Sequence, residues 1–459
     1  MTLPVPADVV ELCQKLRDGG FEAWVVGGAV RDLLRGAAAK DFDVATSAQP
    51  ADVTRIFGRK RTIPTGEKHG TVTVLTERGG EKQHVEVTTY RGEGAYSDGR
   101  RPDAVVFVRT LDEDLKRRDF TMNAIAYDPL ADALVDPYGG QRDLAARVIR
   151  AVGDPLERFL EDGLRAMRAV RFAAQLEFAI DPPTERAIPD AIEVFRKVSA
   201  ERVRDELVKI LGAKKPSIGL ELMRTTGLLA ASIPELLEGV GMHQNRFHAH
   251  DVWHHTLAAV DATELGGDPP WLVRFAALLH DVAKPRTAAP KEDSPSENTF
   301  YRHESVGAAM AEEICRRLKL ANAERDTIVN LVGNHMFWYT PEWSDGTVRR
   351  FISRVGVEHL DALFALRAGD VRARGHAEEP GVEIDELKAR AAAEIAKDAA
   401  LKITDLAVGG ADVMEVLGCK PGPIIGDVLR ALLERVLDDD TLNTREQLRA
   451  LIPTVLPKS

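Results

Sequence analysis

The sequence has no apolar run of the roughly 20 residues that a transmembrane helix needs, so no membrane partner is expected. Its opening stretch, MTLPVPADVVELCQKLRDGG, has an amphipathic helical pattern and lacks the basic segment and apolar core of a secretory signal peptide. Only three cysteines occur, and none belongs to a CxxC pair. This argues against a disulfide framework and a zinc ribbon, and the cytoplasm is the expected location.

The chain also lacks an excess of basic residues. Its 61 Lys and Arg are outnumbered by 72 Asp and Glu, which gives a net charge of −11. This acidic total argues against a protein that binds nucleic acid over its whole surface. Residues 145–215 are a local exception, with 14 Lys and Arg against 12 Asp and Glu. At 459 residues the chain is long enough for about two to four domains.

Strand signals are concentrated in the first 140 residues, where β-branched residues alternate with polar ones. The candidate strands are WVVGG (24–28), KDFDVAT (40–46), TVTVLT (71–76), QHVEVTTY (83–90) and AVVFV (104–108). Helical patterns lie at 5–18, 29–35 and 51–57. From about residue 150 onward, apolar residues recur at spacings of three and four, the period of a helix. The expected fold is α+β: a small mixed-sheet head with helices, followed by a long all-α body.

Two aspartates, Asp41 and Asp43, stand two residues apart in the second candidate strand. Side chains two apart in a strand share a face, so both carboxylates would project together while Phe42 turns into the core. Adjacent carboxylates repel unless a cation joins them, and Mg²⁺ is commonly held by one or two carboxylates and substrate phosphates. Glu86 could complete a trio. The alternatives are solvated acids at a strand edge and, for Glu86, a buried acid held by an arginine.

The glycine pair Gly27-Gly28 lies between a candidate strand and a candidate helix. Glycines at such a junction let the backbone approach a phosphate, and a helix N-terminus favours anions. Arg31, one turn into the helix, could reach the same phosphates. The alternative for the glycine pair is a tight turn between the strand and the helix.

A charged segment with a three-residue step follows in the helical part. Its members are Glu161, Asp162, Arg165, Arg168 and Arg171. On one helix, residues three apart are neighbours, so Asp162 and Arg165 would project together. Cytosine and adenine both show an amino donor beside a ring-nitrogen acceptor, which a carboxylate and a guanidinium match, whereas uracil and guanine reverse this order. The alternative is a solvated, salt-bridged helix face.

Taken together, these motifs resemble a known family. GGAVRDLLRG followed by DFDVAT is similar to motif A of class II tRNA nucleotidyltransferases and bacterial poly(A) polymerases, of the polymerase-beta-like superfamily. Further similar motifs follow in the family's order: PTGEKHGTVTV (64–74), VEVTTYR (85–91), YSDGRRPDAVVFV (96–108), KRRDFTMNAIAYDP (116–129), DPYGGQRDL (136–144) and EDGLRAMRAVRFAAQLEF (161–178). Because they cover about the first 210 residues, the resemblance is far more specific than any single motif.

The resemblance implies the roles of the site residues. Two Mg²⁺ ions would be held by Asp41 and Asp43, with Glu86 as a third catalytic acid. The nucleotide-binding residues would be Gly27, Gly28, Arg31, Arg118, Asp119 and Asn123. Glu161, Asp162 and Arg165 match the family's amino-acid template for the nucleobase, and Arg168 and Arg171 match positions that help to hold the nucleotide. The expected activity is addition of CCA to tRNA 3′ ends from CTP and ATP, without a nucleic-acid template and with release of pyrophosphate.

The family divides by product, and PTGEKHGTVTV resembles the CCA-adding type. Charged residues stand where the family keeps a flexible loop needed for the final A: Arg91, Glu93, Asp98, Arg100 and Arg101. An enzyme that adds only CC is expected to lack this loop. An enzyme that adds only A would look much the same, so an A-adding enzyme and a poly(A) polymerase remain alternatives.

A second constellation, HAHDVWHHTLAAVD (248–261) and FAALLHDVAK (275–284), resembles the HD phosphohydrolase superfamily. His255, His280 and Asp281 match its first three metal ligands, and Asp370 is the candidate for the fourth. His303 and His335 match positions that in some HD proteins bind a second metal or phosphate. We expect a divalent transition metal here and a phosphohydrolase acting on RNA ends or nucleotides. The alternative is an inherited helical scaffold that no longer binds metal.

The body is also expected to hold RNA. A basic track is predicted at Lys197, Arg202, Arg204, Lys209, Lys214 and Lys215, with a solvated face as the alternative. Residues 405–448 resemble the family's tRNA-binding tail. The predicted divisions are a nucleotidyltransferase head (1–145), a neck with the template (146–215), an HD-type domain (216–385) and a tail (386–459). Rival hypotheses are an HD phosphohydrolase with a nucleotide-sensing head and a non-catalytic RNA-binding protein.

Overall fold

The computed structural model describes residues 2–92, 107–244, 250–265, 269–291, 294–374, 382–397 and 400–456. The chain forms two compact units, Met1–Pro234 and Glu235–Ser459. Within the described ranges, no helix combines the length and the apolar character that crossing a bilayer requires.

The strands of unit 1 are β1 (Ala23–Val26), β2 (Asp43–Thr46), β3 (Thr62–Gly66), β4 (Thr71–Arg78), β5 (Glu81–Thr89), β6 (Ala126–Asp128), β7 (Ala133–Val135), β8 (Val148–Ile149) and β9 (Ala179–Ile180). Its helices are α1 (Ala7–Asp18), α2 (Gly28–Leu34), α3 (Pro50–Phe57), α4 (Leu111–Lys116), α5 (Gly140–Ala146), α6 (Pro155–Glu161), α7 (Leu164–Leu176), α8 (Pro182–Asp190), α9 (Ile192–Phe195), α10 (Ala200–Leu211), α11 (Pro216–Thr225) and α12 (Leu228–Ser232). The expected α+β head and helical continuation are confirmed.

The first seven strands form one mixed sheet in the order β3-β4-β5-β2-β1-β6-β7. β2 and β5 run parallel, whereas β1 is antiparallel to both β2 and β6. The register places Asp43 opposite Glu86 on one side and opposite Val26 on the other. The sheet therefore holds the carboxylates of Asp43 and Glu86 on neighbouring strands.

The predicted strand at 40–46 is too long at its start. β2 begins only at Asp43, and Asp41 is an exposed residue ahead of it. The physical reason lies in β1, which ends at Val26 because the chain turns at Gly27 into α2. Residues before Asp43 therefore have no ladder partner on β1. Phe42 is buried, as predicted.

Some strands of the sheet were not predicted at all. These are β3, β6 and β7. β6 and β7 are only three residues long, which is too short for an alternating pattern to be visible. The candidate strand at 104–108 lies partly outside the described residues, and Phe107 forms an isolated bridge with Arg91. The remaining loop residues from 93 to 106, Glu93, Asp98, Arg100 and Arg101 included, lie outside the described residues as well.

The predicted single helix through Glu161–Arg171 is wrong. α6 ends at Glu161, Asp162 has an extended backbone (φ −147°, ψ 104°), and α7 begins at Leu164. Gly163 packs against backbone, since a Cβ there would lie 2.5 Å from the nitrogen of Phe195. This close approach requires glycine at residue 163. It occurs where the helical backbone is interrupted between Glu161 and Arg165.

Unit 2 is mainly helical. Its helices are α13 (Val252–Ala262), α14 (Trp271–Leu279), α15 (Lys284–Thr287), α16 (His303–Arg317), α17 (Asn322–Asn334), α18 (Asp345–Val355), α19 (Leu360–Arg372), α20 (Val382–Ala396), α21 (Gly410–Leu417), α22 (Pro423–Asp438) and α23 (Arg445–Leu451). The polar segment 289–300 is not a plain loop, because β10 (Ala289–Lys291) and β11 (Ser294–Thr299) pair within it. Residues 418–422 join α21 to α22. Residues from α21, α22 and α23 share one apolar core.

Candidate active site

The first part of the site lies at the start of β2. Asp43 and Glu86 face each other across β2 and β5, and both line a cavity of about 500 Å³. Asp41 is exposed and is not among the residues described as lining the cavity. Its negative charge nevertheless contributes to a raised pKa of Asp43. The structure thus brings Asp43 and Glu86 together as predicted and places Asp41 just ahead of them in the chain.

The environment of Asp43 disfavours its ionised form. Burial and the charge of Glu86 raise the pKa of the Asp43 carboxyl to about 6, with Asp41 adding to the rise and Arg118 opposing it. A cation bound at these carboxylates would reverse that effect, because it stabilises the ionised form. Carboxylate oxygens are also the donors that Mg²⁺ prefers. The residues present therefore fit a magnesium site.

The turn between β1 and α2 leaves space beside these carboxylates. Gly27 has a φ of +73°, and a Cβ there would lie 3.2 Å from Nη1 of Arg118 and 3.7 Å from Oδ2 of Asp43. A Cβ on Gly28 would lie 3.7 Å from Nη2 of Arg31. Since both glycines lack a side chain, the N-terminus of α2 stays open toward two guanidinium groups, as a phosphate-binding turn requires.

A chain of polar contacts forms one wall of the cavity. Nη1 of Arg31 donates to Oδ1 of Asn123 at 3.1 Å, and Nδ2 of Asn123 donates to Oδ1 of Asp119 at 3.0 Å. Nε of Arg168 donates to Oδ2 of the same aspartate at 2.8 Å. Burial opposes ionisation of Asp119, but Arg168 and Asn123 outweigh it and hold the pKa of that carboxyl below its usual range. Asp119 is therefore an anion that fixes the geometry of its neighbours.

An aromatic ring at the cavity, Phe172, was not predicted as part of the site. The guanidinium carbons of Arg171, Arg31 and Arg168 lie 3.7, 5.1 and 5.6 Å from its ring centroid. The ring itself is buried and meets Phe120 edge to face at 5.7 Å. Cations near an aromatic face are attracted to it, so Phe172 gathers three arginines around one centre.

A buried acid supports the opposite wall and was also not predicted. Oδ1 of Asp114 lies 2.9 Å from Nη2 of Arg117, and Oδ2 lies 3.1 Å from Nη2 of Arg118. The backbone nitrogen of Arg91 donates to the same carboxylate at 3.1 Å. Asp114 therefore orients two arginines that line the cavity.

The predicted template residues separate into two roles. Glu161 pairs with Arg165, and Nη1 of Arg158 lies 2.8 Å from Glu161. Nη2 of Arg165 donates to the carbonyl oxygen of Arg117 at 3.0 Å. Asp162 and Arg165 both line the cavity, whereas Glu161 is not among its described lining residues. The geometry makes Glu161 a support for Arg165.

Two further contacts come from α10. Arg202 pairs with Asp162, and Nε of Arg171 donates to Oε2 of the buried Glu206 at 2.5 Å. Both arginines line the cavity. Arg202, predicted as part of an RNA track, is thus engaged at this cavity.

The other residues of the predicted RNA track are partly ion-paired and partly exposed. Arg204 pairs with Asp205, and Lys209 lies 3.1 Å from Glu206. Lys197, Lys214 and Lys215 are exposed. The track stays a prediction.

The predicted HD residues of unit 2 come together from several helices. His255 lies on α13, His280 follows α14, and Asp370 lies on α19. All three are buried, and their ligand atoms lie within 4.8 Å of one another. His255 Nε2 is 3.1 Å from Oδ1 of Asp370. This group has the imidazole and carboxylate donors that a transition metal takes.

A second group lies beside the first, and its Asp281 also contacts His280 of the first group. The ligand atoms of Asp281, His303 and His335 also lie within 4.8 Å of one another. Oδ2 of Asp281 is 3.1 Å from Nε2 of His280, whereas Oδ1 is 3.4 Å from Nε2 of His303 and 3.8 Å from Nε2 of His335. The two oxygens of Asp281 thus face histidines of different groups.

The protonation state of His335 suits metal binding. Burial and the charge of His280 lower the pKa of His335 to about 3, so its ring is neutral, the form that ligates metal. Nε2 of His280 and Oδ2 of Asp281 are buried, and within the described chain neither has a hydrogen bond of suitable geometry. Oδ2 of Asp281 still has ionic partners, since it lies 2.7 Å from Nζ of Lys284 and 3.1 Å from Nε2 of His280. Nε2 of His280 has this carboxylate contact and a longer one, at 3.8 Å, to Oδ1 of Asp370, so its position fits a ligand atom for a metal ion.

Cationic side chains surround the HD groups. Nζ of the buried Lys284 is 2.7 Å from Oδ2 of Asp281 and donates to Gln244 at 2.7 Å. Nη1 of Arg367 is 2.8 Å from Oδ2 of Asp370. Neither cation was predicted as part of this site.

The chain is similar over nearly its full length to known proteins. A CCA-adding enzyme of Geobacillus stearothermophilus is 35% identical over 448 residues, which are 96% of this chain and 95% of that one. This chain belongs to the CCA-adding enzyme family. It is accordingly a tRNA nucleotidyltransferase by family, and the resemblance inferred from the motifs is confirmed.

Other comparisons agree with this membership in the CCA-adding enzyme family. A crystal structure of the Bacillus stearothermophilus CCA-adding enzyme in complex with CTP is 32% identical, with a TM-score of 0.72 over 97% of this chain and 96% of that chain. A CCA-adding enzyme of Lactobacillus helveticus is 54% identical over 197 residues, 43% of this chain and 48% of that protein. A Thermotoga maritima CCA-adding enzyme complexed with tRNA shares the fold, at 22% identity and a TM-score of 0.53.

Family models divide this CCA-adding family member into matched segments. The poly A polymerase head domain matches residues 23–150, and the probable RNA and SrmB-binding site of polymerase A matches residues 177–239. The HD domain matches residues 252–363. Asp370 lies beyond this last match, although it lies within the first metal-ligand group.

Sequence patterns missed site residues of two kinds. Lys284 stands three residues after Asp281, and this spacing on a helical turn is a signal that could have identified it. Asp114 and Phe172 carry no local signal, since an acid in an acidic helix and an aromatic in an apolar one are both ordinary. Their roles depend on contacts that only the tertiary structure makes.

Proposed function

We propose that the chain adds C, C and A in turn to tRNA 3′ ends from CTP and ATP, without a nucleic-acid template. One observation carries this proposal. A single cavity combines neighbouring carboxylates, an open strand-to-helix turn with arginines, and a carboxylate–guanidinium pair that suits a nucleobase. The CTP complex of the full-length relative supports the nucleotide assignment.

Asp41 and Asp43 would hold the two magnesium ions in this proposal, with Glu86 as a third acid on the neighbouring strand. Bound magnesium would lower the pKa of the RNA 3′-hydroxyl and stabilise the leaving pyrophosphate. Burial and the negative charge of Glu86 raise the pKa of Asp43, so a bound cation would stabilise its ionised form. The protein itself contributes positioning and charge, which is most of what phosphoryl-type transfer needs.

The remaining residues orient the triphosphate and the base. Arg31 and Arg118 border the open turn at Gly27 and would contact phosphate oxygens. Asp162 would accept from the exocyclic amino group of cytosine or adenine, and Arg165 would donate to the ring nitrogen. Uracil and guanine reverse this order, which leaves a buried donor facing a donor, and such unpaired groups reject a substrate strongly.

Product identity is tested with three tRNA substrates that end before CCA, after C and after CC. Each is incubated with labelled CTP or ATP and Mg²⁺. Sequential addition of C, C and a single A is expected. Addition of A alone to the CC-ended substrate identifies an A-adding enzyme, and a long A tail identifies a poly(A) polymerase. Absence of any addition, with NTP-dependent hydrolysis by unit 2, favours a nucleotide-sensing head.

We also propose that the HD site of unit 2 is a metal-dependent phosphohydrolase acting on RNA ends or nucleotides. The two metal-ligand groups joined by Asp281 favour it. Divalent transition metals would be held by His255, His280 and Asp370, and by Asp281, His303 and His335. Metal of this type supplies a water nucleophile at neutral pH and polarises the phosphoryl oxygens. Lys284 would contact a phosphate oxygen or hold the leaving oxygen during its protonation.

In the hydrolysis, water adds to phosphorus while the bond to the leaving ester oxygen breaks, and that oxygen takes up a proton. Arg367 would keep Asp370 oriented through its ion pair. Residues 1–145, 146–215, 216–385 and 386–459 remain the proposed divisions into head, neck, HD-type domain and tRNA-binding tail. We place both activities in the cytoplasm, consistent with three cysteines that are all free.

A further inference from the structure

Unit 2 contains a groove of about 640 Å³ that neither proposed activity uses. We call it the aromatic groove, and its residues relevant here are Met336, Phe337, Trp338, Trp343, Phe351 and Arg354. The segment that leaves α17 and enters α18 forms one side, and Glu434 and Leu437 of α22 form the other. Its volume falls within the range of about 300 to 1,000 Å³ typical of ligand sites.

The floor of the aromatic groove is a packed set of rings. Phe337 lies 5.2 Å from Phe351, and Trp343 lies 5.9 Å from the same ring, all between centroids. Above this floor, Trp338 is 76% exposed and Met336 is 50% exposed. Two large apolar side chains are therefore accessible to a ligand at the edge of the groove.

The charge of the groove distinguishes its possible occupants. The guanidinium of Arg354 lies 5.8 Å from the centroid of Phe351 and meets no carboxylate within 4 Å in the described part of the chain. Arg350 is already paired with Glu434 and Asp438. An aromatic platform with one uncommitted cation suits a base and its phosphate, because bases stack on rings and phosphates pair with arginine.

Side-chain contacts link the groove to the HD site. Phe337 lines it, and the guanidinium of Arg367 lies 5.7 Å from the Phe337 ring. The same Arg367 is 2.8 Å from Oδ2 of Asp370, a member of the first metal-ligand group. His335, of the second group, directly precedes Met336 in the chain, so the Cα of Trp338 is at most about 11 Å from that of His335.

We propose that the aromatic groove binds the terminal nucleobases of a single-stranded RNA end whose phosphoester lies at the HD site. This rests on the proposed hydrolase function and names its substrate class as an RNA end rather than a free nucleotide. Trp338 stacks on a base, and Arg354 pairs with the backbone phosphate. A second copy of the chain or an apolar peptide is the competing occupant, because Trp and Arg also anchor protein interfaces.

The first test measures binding without hydrolysis. A fluorescein-labelled RNA hexamer is titrated with the full chain in EDTA, and anisotropy is recorded for wild type, Trp338→Ala, Trp338→Phe and Tyr301→Ala. Trp338→Ala is expected to weaken binding about tenfold, within the range of base–aromatic stacking, whereas Trp338→Phe loses about twofold or less. Tyr301→Ala, which removes an aromatic that is 80% exposed outside the groove, is expected to change nothing.

A second measurement separates the groove from the hydrolase. With metal present, Trp338→Ala is expected to raise the KM for an RNA end carrying a 2′,3′-cyclic phosphate about tenfold. The kcat for this substrate and the rate of mononucleotide hydrolysis should stay the same as in wild type. If binding falls in EDTA but no hydrolysis occurs in any variant, the hydrolase proposal fails and the groove remains. If Trp338→Ala binds RNA as tightly as wild type, the groove proposal is wrong. If sedimentation shows that this variant also no longer self-associates, the groove binds a second copy of the chain instead.

Discussion

Arg202 holds Asp162 in a two-point ion pair across forty residues of sequence. Its Nη2 is 2.7 Å from Oδ2, and its Nη1 is 3.2 Å from Oδ1. Asp162 lies in the break between two helices, where its Oδ1 also accepts a hydrogen bond from the backbone nitrogen of Leu164 at 3.1 Å. The arginine from α10 and this local backbone contact together orient the carboxylate that we assign to base recognition.

Removing that arginine is expected to relax nucleotide selection. A hydrogen-bonded ion of this kind contributes about 1.5 to 3 kcal/mol, so Arg202→Ala should reduce preference for CTP and ATP over UTP by about tenfold or more. Asp162→Ala should reduce it further while leaving magnesium dependence intact. Single-nucleotide incorporation with each NTP measures the preference of both variants.

Arg196→Ala, which removes an exposed arginine paired with Glu193, is the control. Unchanged preference in Asp162→Ala would refute the template.

Gly27 and Gly36 share a φ of +73° and differ in surroundings, which makes them a matched pair. Alanine at either position strains the backbone and should lower the free energy of unfolding by about 1 to 3 kcal/mol. Only at Gly27 does the added Cβ approach Arg118, at 3.2 Å; around Gly36 nothing described lies within 4 Å. Steady-state kinetics should therefore give a raised KM for NTP in Gly27→Ala alone. Equal KM values in the two variants would contradict a phosphate-binding turn.

The Asp119–Arg168 pair predicts a pH-dependent stability difference. The folded pKa of Asp119 lies below its usual value, so the ionised carboxylate stabilises the fold above pH 4, and this contribution is lost as the pH falls through the folded pKa. Asp119→Asn should lower stability by about 3 kcal/mol at pH 7, as expected for one partner of a buried pair.

Thermal unfolding of wild type and Asp119→Asn at several pH values measures this difference. The gap should be constant from pH 7 to about pH 5 and should narrow below about pH 4. Glu11→Gln, which removes an exposed partner of Lys15, should have little effect at any of these values. A gap that widens toward low pH would show that Asp119 is not held as an anion.

The HD site is expected to be independent of nucleotide addition. His280→Ala removes a buried ligand, so metal content and phosphoester hydrolysis should both fall at least tenfold while CMP and AMP addition stays near wild type. Elemental analysis and the two activity assays measure this. His254→Ala is the control, because that neighbouring histidine is exposed and paired with Asp251. Joint loss of both activities in His280→Ala would mean that the sites are coupled.

Several of these features were predictable from local pattern. The alternation in TVTVLT and HVEVTTY identified β4 and β5, and Gly27-Gly28 marked the junction of β1 and α2. The histidines and aspartates of the HD motif do meet, although they lie on different helices. The strand predictions used a spacing of a few residues, and backbone geometry converts such spacings directly into a strand face. The HD ligands, which lie far apart in the chain, were predicted from the resemblance to the HD superfamily.

Other features were decided by contacts between distant segments. The expected single helix failed at Gly163 because the backbone of Phe195 passes there, and no periodicity near residue 163 reports that contact. Asp41 fell outside β2 because β1 ends early, which is a property of the partner strand.

The sequence by itself determined the fold class, the family and the chemical types of the residues at both sites, because periodicity and the order of motifs can be read along the chain. Only the tertiary structure decided which charged side chain orients which neighbour. Arg202 rather than Arg165 holds Asp162, Phe172 gathers three arginines, and Phe337 joins the aromatic groove to Asp370 through Arg367. The physical reason is that these contacts join residues far apart in the chain, and their geometry follows from packing that no short stretch encodes.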